Sequence, residues 1–180
     1  MTAITGKVVI RDDVNPVPWM GEQGRFLLRA EDTGGLFSFF EVTTAPGGGP
    51  PLHLHEDHDE ALYVIEGQYE ITLGDRTLTG LPGTVAYSPR GAAHRFRNYT
   101  ETPSRLLVIA SPGGHERFFE ELSAVLAAGP PTPSVFAEVA RRHHITGLEP
   151  FGPPPGVAGA GSRPAGAGVS AGAGATGRPS

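Results

Sequence analysis

Four histidines in the middle of the sequence are the residues best suited to chemistry: His53, His55, His58 and His94. His53 and His55 are two residues apart in an apolar run, so on a strand both side chains point to the same face and can reach one point. Neutral imidazole is a common ligand of divalent metal ions. A pair at this spacing is weak evidence by itself, because hydrogen bonds within a protein core explain it equally well.

Glu60 makes a metal site the better explanation of that spacing. It lies at the edge of an apolar strand, after the polar turn 56–59, and a carboxylate that points inward there needs a compensating cation. Two imidazoles and a carboxylate bind divalent first-row metals and leave coordination positions open. His94, on a later strand, is the expected fourth ligand. His58 lies inside the polar turn, and we expect it to be solvated.

The elements that carry these residues are predicted to be β-strands. Between Phe26 and Pro112, short apolar runs rich in β-branched and aromatic residues alternate with Gly and Pro turns, a pattern typical of an all-β sandwich or barrel. The predicted strands are 26–30, 36–44, 52–55, 61–65, 68–73, 77–81, 84–88, 94–99 and 105–110. After Pro112 the apolar period becomes helical, which predicts two short helices at 116–126 and 133–143.

The chain divides into four predicted regions. An N-terminal arm (1–19) precedes the β-barrel (20–112), a helical segment follows (113–150), and a disordered low-complexity tail ends the chain (151–180). Gly, Pro, Ala and Ser make up 24 of the 29 residues from Gly152 to Ser180. Such a segment buries too little apolar surface to offset its ordering entropy.

The composition excludes several kinds of site and partner. The 180 residues include no cysteine, which excludes disulfides, thiolate metal ligands and a cysteine nucleophile. The net charge of −5 gives no attraction to nucleic acid or anionic lipid, and no run of about 18 apolar residues predicts a membrane span. The N-terminus also lacks the pattern of a signal peptide. We therefore expect a cytoplasmic protein that binds a small molecule, with neither nucleic acid nor a membrane as a partner.

The residues around the histidines resemble the two motifs of the cupin family. The first motif is matched by Gly47, five residues, His53-Leu54-His55, four residues, Glu60, six residues and Gly67. The second is matched by Gly83, five residues, Pro89-Arg90-Gly91, two residues, His94, three residues and Asn98. The resemblance implies a jelly-roll barrel that holds one divalent transition metal per chain through His53, His55, Glu60 and His94. It leaves iron, nickel, cobalt, manganese, copper and zinc open.

A narrower resemblance links residues 111–122 to the segment that follows the barrel in small bacterial quercetinase-like cupins. It implies a quercetin 2,3-dioxygenase-like enzyme that uses O2 to open an aromatic or enolic ring of a flavonol-like or polyketide-like molecule. Glu60 would then be both a metal ligand and the catalytic base for the substrate hydroxyl. Strand parity and neighbourhood predict the walls of the substrate pocket: Phe39, Leu62, Val64, Tyr87 and Phe96, with Phe118 or Phe119 from the first helix as a lid.

Two other classes of function stay open at this point. The same motifs occur in cupins that act without O2, as isomerases, epimerases, cyclases or decarboxylases, and in small-molecule carriers. Nothing resembles a second pair of cupin motifs, which predicts a monocupin. We expect a homodimer with residues 4–10 as the contact segment, because strands that are apolar on both faces need more cover than about 150 residues give.

Overall fold

The structure of the chain, a computed structural model, describes residues 6–150. In chain order its elements are β1 (Val17–Trp19), β2 (Glu22–Leu28), β3 (Ser38–Thr44), β4 (His53–His55), β5 (Asp59–Glu66), β6 (Tyr69–Leu73), β7 (Arg76–Gly80), β8 (Val85–Ser88), β9 (His94–Asn98), β10 (Ser104–Ser111), α1 (Glu116–Ala127), α2 (Pro133–Arg142) and β11 (Ile145–Gly147), with a 3-10 turn at Arg11–Asp13. The predicted disordered tail (151–180) lies outside the described residues.

The strands form two antiparallel sheets. One sheet has the order β1-β2-β3-β10-β5-β8, and the other has the order β11-β4-β9-β6-β7. This architecture confirms the predicted all-β jelly-roll fold followed by two short helices. The three-residue strands β1 and β11 were not predicted, because runs of this length carry no readable alternation.

Strand alternation builds the core by sending every second side chain inward. In the larger sheet, Leu106 on β10 pairs with Val42 on one side and Val64 on the other, and none of the three is more than 2 % exposed. Burying an aliphatic side chain of this size stabilises the fold by about 1.5–3 kcal/mol. The same alternation along β5 places Glu60 on the inward face, four residues before Val64.

The two helices pack against the first and the last strand. Trp19 on β1 contacts Phe119 on α1 with ring centroids 4.1 Å apart. α2 begins with a capped turn, in which the Thr132 hydroxyl accepts from the N–H of Val135 and Pro133 takes the first helical position. Both helices confirm the predicted ones to within one residue at their ends. Among residues 6–150, no helix has both the length and the apolar character needed to cross a membrane.

Two motif residues hold turns of the barrel. Gly67 connects β5 to β6 with a φ of +79°, and a Cβ atom there would lie 2.1 Å from Oγ of Ser104. Only glycine therefore fits this turn. The fully buried Asn98 amide donates to the carbonyls of Thr44 and Thr102 at 3.0 and 2.8 Å, so it joins the end of β9 to its neighbours.

The inward face of β3 differs from the prediction. Phe39 was expected to face the pocket, but Phe40 is the buried residue, at 1 % exposed, and Phe39 lies on the outer face. A shift of one residue exchanges the two faces of a strand. The outer face also carries Glu41, which accepts hydrogen bonds from Arg11 at 2.9 Å and Arg105 at 3.2 Å. The cover on this face is therefore partly polar and comes from the N-terminal arm.

Candidate metal centre

The three predicted histidine ligands meet inside the barrel. β4 carries His53 and His55 on one face, and β9 places His94 opposite His53 in the strand pairing. The ring centroids are 4.4 Å apart for His53 and His94, and 4.9 Å apart for each of the other two pairs. All three side chains are buried and offer nitrogens within 4.8 Å of one another, which suits three ligands of one ion.

Glu60 completes the set from the other sheet. Its Oε1 lies 3.4 Å from Nε2 of His94, and its Oε2 lies 3.5 Å from Nε2 of His55. Burial opposes ionisation of this carboxyl, but the imidazoles of His55 and His94 outweigh burial and hold the pKa of Glu60 well below its usual value. An ionised carboxylate beside three imidazoles is a donor set suited to a divalent first-row transition metal.

The orientation of the imidazole rings also fits a metal ion. Nδ1 of His53 lies 2.9 Å from the carbonyl oxygen of Pro51, and Nδ1 of His94 lies 3.0 Å from that of Ala92. Because a carbonyl only accepts, each Nδ1 carries a proton, and Nε2 is the atom left for a ligand bond. The Nε2 atoms of His55 and His94 are buried without a hydrogen-bond partner among the described residues. A cation bound by these atoms would remove the free-energy cost of burying them without a hydrogen-bond partner.

The protonation of the histidines differs within the cluster. Burial, together with the neighbouring His94 and His55, lowers the pKa of His53 to about 3, so this ring is neutral as a ligand must be. At His94 burial also lowers the pKa, but Glu60 outweighs it and raises the pKa above its ordinary value. Protons therefore compete with a metal ion more strongly at His94 than at His53.

His58 is buried, and the expectation of a solvated side chain was wrong. It is 5 % exposed, whereas its turn neighbours Glu56 and Asp57 are exposed. Its ring centroid lies 4.1 Å from that of His55, and its Nδ1 lies 2.7 Å from Oδ1 of Asp57. The turn keeps its carboxylates at the surface and sends the imidazole inward, a direction that periodicity cannot specify within a turn.

His115, which sequence reasoning missed, joins the cluster from the residue before α1. Its ring centroid is 4.8 Å from His55 and 4.5 Å from His58, and the three histidines form a second group with nitrogens within 4.8 Å of one another. Burial lowers the pKa of both His58 and His115, which keeps the two rings neutral. The available signal was the position of His115 in the segment 111–122, directly before an aromatic helix.

A cavity with mainly apolar walls opens beside the histidines. Three of the predicted wall residues line it, namely Phe96 on β9 and both Phe118 and Phe119 on α1. Leu62 and Val64 are buried in the sheet without lining this cavity.

The remaining predicted wall residues point away from the cavity. Tyr87 is 57 % exposed, because Ala86 and Ser88 are the inward residues of β8. Phe39 does not line the cavity, whereas its neighbour Phe40 does, as the alternation of β3 requires.

Further lining residues lie outside the predicted set. Trp19, Phe40 and Leu122 add apolar surface, while Glu22 adds a second carboxyl group besides Glu60. Glu22 precedes the first predicted strand, so strand alternation in the sequence gave no indication that it points inward.

Comparison with known proteins agrees with this fold. A family model described as a cupin domain matches residues 40–110. Protein SchB from Streptomyces halstedii is 31 % identical over 113 residues, which cover 62 % of this chain and 82 % of SchB.

Two further similar proteins are named for an activity. Quercetin 2,3-dioxygenase from Bacillus subtilis is 31 % identical over 71 residues, which cover 39 % of this chain and only 21 % of that enzyme. The solved structure of the polyketide cyclase RemF from Streptomyces resistomycificus superimposes with a TM-score of 0.53 at 32 % identity, covering 59 % of this chain and 80 % of RemF.

Proposed function

The chain belongs to the cupin family, and from that premise we propose that it is a metal-dependent dioxygenase, which uses O2 on a planar, enolisable molecule of flavonol or polyketide type. One observation carries the proposal. His53, His55 and Glu60 lie on a cavity whose other walls are mainly aromatic and aliphatic. Few polar groups in an apolar cavity favour a flat ring system with a small number of oxygen substituents.

The donor set decides which group the site would hold. His53, His55, His94 and Glu60 would bind one divalent transition metal, and the unmatched Nε2 atoms of His55 and His94 support this assignment. When bound, such a metal supplies Lewis-acid chemistry, and a redox-active one also supplies electron transfer.

Glu60 is the residue that we assign to proton transfer. Its carboxylate is ionised, buried and part of the cavity wall, so it can accept the proton of a ligand hydroxyl. Its Oε2 faces His55 and His115, at 3.5 and 3.8 Å between the carboxylate oxygen and each Nε2. These neighbours hold the carboxylate in place while it receives the proton.

The aromatic residues of α1 would bind the ring system and exclude water. Phe118 and Phe119 pack with ring centroids 5.1 Å apart, and Phe119 lies 5.7 Å from Phe40 on β3. Water exclusion would strengthen the attraction between an ionised ligand and a metal ion held by the four proposed ligands.

A cyclase that works without O2 is the second candidate function. The similarity to the polyketide cyclase RemF covers 80 % of its chain, whereas the similarity to the quercetinase covers 21 % of that enzyme. The cyclase is therefore matched over the larger share of its length. Both candidates require the same ligand set and a flat, oxygenated substrate. They differ in whether O2 is consumed.

We also propose that the chain forms a homodimer through the outer face of the larger sheet. Tyr63, Val85, Tyr87 and Ile109 are exposed there on three neighbouring strands, and Val8 and Ile10 of the N-terminal arm are exposed as well. Contiguous apolar surface of this kind marks interaction sites in proteins of this size.

The test combines elemental analysis with oxygen consumption. The purified protein is analysed for bound metals, then screened in an oxygen electrode with flavonols, catechols and β-diketones, using the metal found. O2 uptake with a flavonol supports the dioxygenase, whereas product formed equally well under nitrogen supports the cyclase. Ligand binding with neither outcome would identify a carrier and reject both enzymes.

A further inference from the structure

Glu22 is a second buried carboxyl group in the cavity that holds the candidate metal centre. It begins β2, is 6 % exposed and lines the cavity wall. The indole N–H of Trp19 donates to its Oε2 at 2.9 Å, and the hydroxyl of Thr44 donates to its Oε1 at 3.0 Å. No Lys or Arg among the described residues forms an ion pair with it.

The carboxyl group of Glu22 is the acceptor in both of its hydrogen bonds. Thr44 in turn accepts from the hydroxyl of Tyr69 at 3.2 Å, so its own proton is directed to Glu22. The indole N–H of Trp19 can only donate. Both hydrogen bonds come from protein donors, and because the carboxyl group also lines the cavity, a further hydrogen bond to a ligand can form there.

The carboxyl group of Glu22 can bind either kind of oxygen substituent. Burial raises its pKa to about 7. In its protonated form it can donate a hydrogen bond to a ligand carbonyl, and in its ionised form it accepts one from a ligand hydroxyl.

Aromatic surface connects the two groups. Trp19, which is bonded to Glu22, contacts Phe119 at 4.1 Å between ring centroids, and Phe119 contacts His115 at 4.7 Å. His115 in turn lies 3.8 Å from Glu60. A ligand that extends from one carboxyl to the other must pass along these rings, which favours a flat molecule.

We propose that Glu22 forms a second polar subsite, which binds an oxygen substituent on the part of a planar polyoxygenated aromatic ligand that lies away from Glu60. This rests on the proposed function, since it assumes that the reacting oxygen lies at Glu60 and the metal. It adds a requirement for the substrate, which must carry a further hydroxyl or carbonyl on a ring remote from the reacting one.

The experiment measures affinity without turnover. Metal-loaded protein is titrated under nitrogen by calorimetry with 3-hydroxyflavone and with quercetin, which share the hydroxyl beside the carbonyl but differ in remote hydroxyls. Glu22→Met, which removes the hydrogen-bonding group at a similar side-chain length, is compared with the unaltered protein. Tyr69→Phe is the matched control, because it removes a hydroxyl from the same hydrogen-bond chain at a residue that does not line the cavity.

The unaltered protein and Tyr69→Phe should prefer quercetin by about 10- to 100-fold, the range for one hydrogen bond to a buried polar group. Glu22→Met should lose most of that preference while keeping its affinity for 3-hydroxyflavone. If Glu22→Met does not fold, Glu22→Asp retains the carboxyl in a shorter side chain and should reduce the preference without abolishing it.

Two results would overturn the subsite. An unchanged preference in Glu22→Met would leave Glu22 as a structural link between Trp19 and Thr44, whereas O2 uptake by the unaltered protein would still support the proposed function. Absence of heat with either flavonol would reject the subsite for this ligand class. The oxygen electrode with catechols and β-diketones then decides separately whether the dioxygenase proposal also fails.

Discussion

Nε2 of His115 lies 3.8 Å from Oε2 of Glu60, so the residue before α1 contacts the carboxylate in the barrel interior. The first helix is thereby connected to the candidate metal centre and not only to the outside of the sheet. His115 also contacts Phe118 and Phe119, with ring centroids 6.0 and 4.7 Å away. A movement of α1 would change the surroundings of Glu60 and the width of the cavity together.

Replacing a ligand should empty the metal site, whereas replacing His115 should not. We expect His55→Ala to lose the metal, because His55 contributes to the triad and is one of three imidazoles beside Glu60. His115→Ala leaves all four proposed ligands in place and should keep close to one metal per chain. Elemental analysis of the purified variants measures this, with the exposed His144→Ala as the control.

Two outcomes would contradict that assignment. Full occupancy in the double variant His53→Ala/His94→Ala would show that the metal lies elsewhere. Loss of metal in His115→Ala would place the ion in the second histidine group, which His115 forms with His55 and His58.

The ligand positions could be predicted because motif spacing and strand alternation act locally. His53 and His55 lie on the same face of β4 because they are two residues apart, and Glu60 is the first inward residue of β5. The positions of His58 and Phe39 were wrong for a local reason too. A turn has no period to read, and residues 36–42 are apolar at both parities, so alternation did not specify which of Phe39 and Phe40 points inward.

Glu22 and His115 could not be predicted by the same means. Glu22 reaches the cavity only because β1 and β2 join the larger sheet, and His115 only because α1 packs against β1. Such contacts join distant parts of the chain, and neither periodicity nor residue type near these positions specifies them.

Glu22 should make the folded protein less stable as the pH rises from about 4.5 to 7. Its pKa is about 7 in the folded protein against an ordinary 4.5, so in this range the unfolded chain has released a proton that the folded chain keeps. Stability then falls with rising pH, by about 3 kcal/mol in total. Glu22→Gln should remove this decline. Urea unfolding of both proteins across that pH range measures the free energy of unfolding. If this free energy changes with pH equally in both proteins, the raised pKa of Glu22 is rejected.

Charged substitutions on the outer face of the larger sheet should dissociate the dimer. Tyr63 and Val85 are paired across β5 and β8, are 44 and 65 % exposed, and belong to the apolar surface proposed as the contact. Tyr63→Lys should convert a dimer into a monomer of 18.8 kDa, measured by light scattering at micromolar concentration. Leu78→Lys, on β7 of the other sheet, is the control and should leave the mass unchanged. A monomeric unaltered protein would reject the interface.

Glu60→Gln should separate metal binding from catalysis. The amide keeps an oxygen that can ligate, while the three histidines are untouched, so the metal should persist at reduced occupancy. The amide cannot accept the ligand proton, and turnover per bound metal should fall by about 10²- to 10⁴-fold, the usual worth of general base catalysis. Glu56→Gln, in the exposed turn before β5, is the matched control and should retain full rate. Rates are expressed per bound metal, as found by elemental analysis, so that a loss of metal is not mistaken for a loss of catalytic activity. A metal-loaded Glu60→Gln protein with the unaltered rate would remove Glu60 from proton transfer and leave it a ligand alone.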